Sequence, residues 1–155
     1  MDHLLALTAE GLVYSWGNGE QGQLGRKIIQ RSTSHPLQLC LTLMSLTGRT
    51  SGLFPEKLSL KNICTIGAGH FHSFAVEKDG TVWACGLNSL RQTGVADLDG
   101  GRESTVSNPR QVKSLHPVKN NGHHVVQITG GEHHTLFLLS DGSVSLKMVI
   151  NIVYS

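Results

Sequence analysis

Nine histidines in 155 residues have the widest latitude for chemistry in this chain, and several are clustered. His70 and His72 stand two positions apart, His133 and His134 are adjacent, and His3 follows Asp2 directly. Imidazoles grouped beside carboxylates such as Glu132 or Asp2 could ligate a metal or move a proton. The wider pattern argues against both uses. No HExxH occurs, and Cys40, Cys64 and Cys85 are odd in number and far apart, which is neither a zinc pattern nor a disulfide framework. A reducing compartment is the plain reading. Gly17-x-Gly19-x-x-Gly22 matches the dinucleotide fingerprint letter for letter. Its context fails: Gly25, Arg26 and Lys27 interrupt any following helix, and no acidic residue about 20 positions on closes a βαβ unit. A structural loop is the better reading, and no cofactor or metal is expected.

The elements that must position these histidines recur along the chain. His3, His72 and His134 are each followed eight residues later by a glycine, Gly11, Gly80 and Gly142. The first two copies stay in step at an offset of 69, through Leu12 to Gly17 against Thr81 to Gly86, and through Gln23 and Gly25 against Gln92 and Gly94. The third copy follows at an offset of 62. Each copy predicts a β-hairpin: an apolar run, a turn at Glu10-Gly11, Asp79-Gly80 or Asp141-Gly142, and a second run rich in β-branched and aromatic residues. Gly67-x-Gly69 and Gly130-Gly131 lie upstream of these runs, where neighbouring backbones would approach closely. A lone hairpin is marginal in water, so the copies must bury one another, and radial packing is one solution. Spacings of 69 and 62 exceed the roughly 40 to 50 residues of a propeller blade. The surplus is assigned to loops at 34–51 and 97–108.

Other functions are excluded by composition. A net charge of +2 with 15% charged residues leaves no broad basic face for nucleic acid. The longest apolar run, Leu37 to Leu46, is too short to span a bilayer, and the N-terminus lacks the basic n-region of a signal peptide. Repeated histidines at one register position are better read as packing groups, with rings donating to the backbone of an adjacent unit. Trp16 and Trp83 read as packing residues rather than a stacking platform, and Gln23 and Gln92 as braces of their loops.

The wording of the repeats resembles a known family. Asp2 to Gly17, then Gly19-Glu20-Gln21-Gly22-Gln23-Leu24-Gly25-Arg26, then Gly67-Ala68-Gly69-His70-Phe71-His72 and Gly130-Gly131-Glu132-His133-His134-Thr135, resemble the regulator of chromosome condensation (RCC1) repeat. The resemblance implies an all-β fold, here a partial β-propeller of about two and a half blades from a seven-bladed whole. It is strongest to the fungal-like exchange factors of the family, which act in the nucleus on the small GTPase Ran and change no covalent bond. Asp2 and His133 stand where that group places rim residues that bind the GTPase; the alternatives are a turn cap for Asp2 and a buried imidazole for His133. Chromatin is a further partner implied for the parent protein. The family's exchange wedge is not recognisable, so the chain alone is expected to be inactive in exchange.

Two segments depart from the pattern: an insert at 34–51, and a tail from 145 to 155 in place of the family's aromatic and next glycine loop. Residues 1–144 are therefore read as the partial propeller. Two other functions stay open, an interaction scaffold without exchange activity and a truncated product whose exposed edges invite aggregation.

Overall fold

The computed structural model describes residues 3–27, 52, 55–96 and 103–147. Among these residues ten strands form three sheets. β1 (His3–Leu7), β2 (Val13–Gly17) and β3 (Glu56–Lys57) make the first. β4 (Ile63–Ala68), β5 (His72–Glu77), β6 (Val82–Leu87) and β7 (Thr105–Gln111) make the second. β8 (Val125–Gly130), β9 (Thr135–Leu139) and β10 (Val144–Lys147) make the third. All pairings are antiparallel and follow chain order.

Register identifies the sheets as copies. His3 faces Gly17 as His72 faces Gly86, and Ala6–Tyr14, Ala75–Trp83 and Phe137–Ser145 are equivalent cross-strand pairs. β1, β5 and β9 are thus the same strand of successive blades. Among the described residues the first sheet lacks a counterpart of β4 and the third a counterpart of β7. The result is an all-β partial propeller. The same register puts Trp83 in the place of Tyr14, and Trp16 in that of Cys85.

Each hairpin closes with the same pair of backbone bonds. The Gly80 amide donates to the Glu77 carbonyl (2.9 Å), the Glu77 amide to Thr81 (2.8 Å), and the Thr81 amide to the Asp79 carboxylate (2.8 Å). The turn therefore has three residues, and the last is left-handed at φ +88° in Gly80. This is the three-residue loop with a glycine bulge rather than the two-residue turn that Asp-Gly alone suggests. The same backbone bonds recur at Thr8, Gly11 and Leu12 and at Leu139, Gly142 and Ser143.

Two apolar clusters join the blades. Val13, Leu58, Leu60, Ile63 and Ala75 are buried between the first and second sheets, with Trp83 packed against them. Phe74, Val82, Val112, Val125, Ile128 and Phe137 form the larger cluster between the second and third. There the Phe74 and Phe137 rings meet edge to face at 5.1 Å. β4 and β8 lie side by side, which explains the glycines: a Cβ on Gly67 would sit 2.7 Å from the Ile128 Cβ, and one on Gly130 would sit 2.5 Å from the Gly69 Cα. Val126, Leu136, Val144 and Leu146 face solvent on the outer side of the third sheet.

The loop assigned to 97–108 is shorter than expected, since Thr105 onward is strand β7. Its polar sequence and Pro109 hid an outer strand that is half solvated. The 34–51 insert lies outside the described residues. Ser145, Leu146 and Lys147 complete β10, and 148–155 also lie outside.

Candidate partner-binding rim

At one end of the blades, the loop before each second strand carries the histidines. Gly69-His70-Phe71 leads into β5, and Gly131 to His134 leads into β9. Both loops are tight, with Gly69 donating to the His72 carbonyl (2.8 Å) and Gly131 to that of His134 (2.9 Å). The His70 amide donates to the Gly131 carbonyl (3.0 Å), so adjacent loops are tied together. Phe71 is pinned from the other side by the Leu87 amide (2.8 Å).

Beneath the rim, the register histidines fasten blade to blade. His72 Nε2 lies 2.8 Å from Thr135 Oγ1, which lies 2.9 Å from the Gln92 carbonyl. His3 Nε2 lies 2.7 Å from Ser73 Oγ, which lies 2.8 Å from the Gln23 carbonyl. Each hydroxyl has one proton and gives it to the carbonyl, so each ring must donate through Nε2–H. The sequence reading expected the rings to bond backbone directly. Instead a Ser or Thr of the next blade relays between ring and carbonyl. The signal was present, because a hydroxyl residue follows His72 and His134.

The glutamines brace their own loops as expected. Gln23 Oε1 accepts from the Gln21 amide and Gln92 Oε1 from the Leu90 amide, both at 2.9 Å. Gly17-x-Gly19-x-x-Gly22 forms successive turns, with Gly22 donating to Gly19 and Gly25 to Gly22 at 3.0 Å. Among the described residues, which here run to Lys27, the glycines open turns and no helix, unlike a dinucleotide fingerprint.

Burial holds the His72 ring neutral. Desolvation first, then the nearby His3, His134 and His133 rings, push its pKa down to about 4. Its Nδ1 is buried with no hydrogen-bond partner, so a second ring proton would have no acceptor. His134 occupies the same register position in the third copy, yet it is exposed.

His133 is on the surface, its side chain 49% exposed, with Nε2 3.6 Å from Glu132 Oε1. The buried-imidazole alternative is therefore wrong for this residue. Asp2 lies outside the described residues, although the buried His3 beside it fixes where β1 starts. His70, singled out in the sequence as a possible ligand, instead meets Phe71 on the neighbouring loop, their rings 4.6 Å apart and tilted by 40°. Together these loops present imidazole, aromatic and carboxylate groups on a rigid backbone, which suits recognition of a partner surface. Among the described residues no three His, Cys, Asp or Glu side chains are placed to hold a metal ion.

Comparison with known proteins assigns the repeats. The model of the regulator of chromosome condensation (RCC1) repeat matches residues 10–76 and 79–138. The chain belongs to the RCC1-repeat family. It is 44% identical over 92% of its length to protein pim1 of Schizosaccharomyces pombe, covering 23% of that protein. It is 34% identical over 92% of its length to guanine nucleotide exchange factor SRM1 of Saccharomyces cerevisiae, covering 25% of it. The same identity and share of the chain link it to the probable E3 ubiquitin-protein ligase HERC3 of Homo sapiens, of which it covers 11%. The solved structure of Prp20p from Saccharomyces cerevisiae, described with its binding to Gsp1p and histones, matches with a TM-score of 0.70 at 34% identity, over 94% of this chain and 28% of that one. This RCC1-repeat chain thus spans about a quarter of the yeast relatives it resembles.

Proposed function

We propose that this chain is part of a nuclear guanine nucleotide exchange factor for a Ran-type small GTPase, and that its rim loops bind the GTPase. The observation that carries the reading is the exposed His133 on a loop whose backbone is bonded to the loop carrying the His70–Phe71 ring pair. Kinship with SRM1, named as an exchange factor, and with Prp20p, described as binding Gsp1p, supports it. In this reading no residue acts as a nucleophile or a proton donor. Exchange is a coupling between two binding equilibria: a rim that holds the nucleotide-free GTPase more tightly than the loaded form lowers nucleotide affinity by the same factor. His133 and Asp2 would supply hydrogen-bonding and charged contacts, and the His–hydroxyl relays would keep adjacent loops in register. Chromatin contact by the parent protein is proposed on the same kinship, since Prp20p is described as binding histones.

The test is calorimetric titration of the chain with nucleotide-free Ran-type GTPase. Binding is expected, weakened about ten-fold by His133→Ala, as for loss of a centrally placed polar contact. Absence of binding, or binding unmoved by both His133→Ala and Asp2→Ala, refutes the proposal.

A second reading is supported by the 34% identity to HERC3, equal to that with SRM1. In it the propeller is an interaction scaffold without exchange activity. The same titration separates the two, because a scaffold of that kind has no reason to prefer the nucleotide-free GTPase.

A further inference from the structure

The fold sets one dipeptide apart from its chemical equivalents. Five Asx–Gly pairs occur in the sequence, and four lie among the described residues: Asn18–Gly19, Asp79–Gly80, Asn121–Gly122 and Asp141–Gly142. Such a pair can close on itself, because glycine has no side chain to shield its backbone nitrogen from the preceding side-chain carbonyl carbon. Closure needs a nitrogen that can give up its proton, a carbonyl turned toward it, and a group that can leave.

The nitrogen separates Asn18–Gly19 from the rest. Gly80 donates its N–H to Glu77, Gly122 to Pro117 and Gly142 to Leu139, each at 2.9 Å. A proton held in such a bond is not released until the turn opens. The Gly19 N–H makes no hydrogen bond among the described residues. Gly19 also lines an open cleft of about 600 Å³, with Glu20, Arg26 and Lys27, which admits water and hydroxide.

The carbonyl is already turned. Asn18 Oδ1 accepts from the Glu20 amide at 2.9 Å, an Asx turn that folds the side chain over the Gly19 peptide. The same N–H would stabilise the negative charge that grows on Oδ1 as the nitrogen adds. Asp79 and Asp141 make the equivalent bond, to the Thr81 amide at 2.8 Å and the Ser143 amide at 2.9 Å. Hydrogen bonds from Thr81 and Ser143 hold these two carboxyl groups below the usual pKa range, so they stay ionised and have no leaving group. Asn121 has one, but it stands at a left-handed φ of +52° in the turn that the Gly122 bond closes.

We propose that Asn18 is a site of spontaneous deamidation in the folded chain. Hydroxide removes the Gly19 N–H proton, and the nitrogen attacks Asn18 Cγ. A C–N bond forms, the Cγ–Nδ2 bond breaks, and Nδ2 leaves as ammonia with a proton from water, which restores the hydroxide. Water then opens the cyclic imide. Opening at Cγ yields an aspartyl residue, and opening at the backbone carbonyl carbon yields an isoaspartyl residue. The net change is one water taken up and one ammonia lost. Both products add a negative charge. The isoaspartyl form also lengthens the main chain by a methylene between Gly17, the register partner of His3, and Gly19, whose carbonyl accepts from Gly22. The change therefore falls at the histidine end of the first blade.

The experiment is incubation of the intact chain at mildly alkaline pH, followed by peptide mass spectrometry and by methyl labelling with an isoaspartyl methyltransferase. A parallel sample is held in urea. In the folded chain, conversion at Asn18 should outrun conversion at Asn121 by about ten-fold, the effect of one hydrogen bond that must break first. In urea both nitrogens are freed, and the two rates should converge. Gly19→Ala should slow conversion at Asn18, because a Cβ crowds the attacking nitrogen. Conversion at Asn121 that matches or exceeds that at Asn18 in the folded chain overturns the proposal. So does a folded chain in which Asn18 stays intact while the urea sample converts, or conversion undiminished by Gly19→Ala.

Discussion

Replacing Thr135 by valine tests whether the histidine relay holds blades together. Valine keeps the shape of threonine, so no cavity opens, and Thr135 is fully buried, so water does not substitute readily. Two groups lose their partner at once, the His72 Nε2–H at 2.8 Å and the Gln92 carbonyl at 2.9 Å. A buried polar group left unpaired costs about 1–3 kcal/mol, so the pair should cost about 2–6 kcal/mol. That is a large share of the roughly 5–15 kcal/mol that holds a domain together. Urea unfolding followed by tryptophan fluorescence reads the loss as a lower midpoint at unchanged slope. Adding His72→Leu removes one orphaned donor, so the double variant should lose about 1 kcal/mol less than the sum of the singles. Ser143→Ala in the exposed hairpin turn is the control, at under about 0.5 kcal/mol. A Thr135→Val loss no larger than that control would refute the relay as a fastening.

Three further outcomes follow from the same structure. Because the folded His72 pKa lies below its unfolded value, the unfolded chain binds more protons in between; stability should be full above about pH 6.5 and fall by about 3 kcal/mol on acidification to pH 4, and urea midpoints of His72→Gln across that range should show a flatter profile. Cys85 is buried with its thiol pushed up to about 12, whereas Cys64 is exposed, so iodoacetamide read by peptide mass spectrometry should label Cys64 in the native protein and Cys85 only at the rate of unfolding. Gly142→Ala meets nothing within 4 Å and should cost only the left-handed backbone penalty of about 1 kcal/mol, while Gly130→Ala drives a Cβ into the Gly69 backbone and should cost about 1–3 kcal/mol; thermal melts of the two variants give the comparison.

The hairpins were legible because their signals are local. A glycine that must turn left-handed sits between two short apolar runs, and the offsets of 69 and 62 carry straight into strand register. β3 and β7 were not legible, since an outer strand paired on one side needs no apolar pattern: Glu56–Lys57 was given no element, and 105–108 of β7 fell in an assigned loop. The glycine blocks were read as lead-ins, yet Gly67 and Gly130 lie within β4 and β8, where the close neighbour is another blade. Of the rim, the position of His133 was readable from its motif. The His72–Thr135 relay was not, because its partners are 63 residues apart and meet only when two sheets pack.

The central claim is that the end of the blades carrying His70 and His133 faces a Ran-type GTPase. Hydrogen–deuterium exchange of the chain with and without the nucleotide-free GTPase measures it directly. The account predicts slowed exchange confined to the loops at 69–71 and 131–134, with residues 113–119 at the opposite end unchanged. Slowed exchange at 113–119 with the histidine loops unaffected would contradict it.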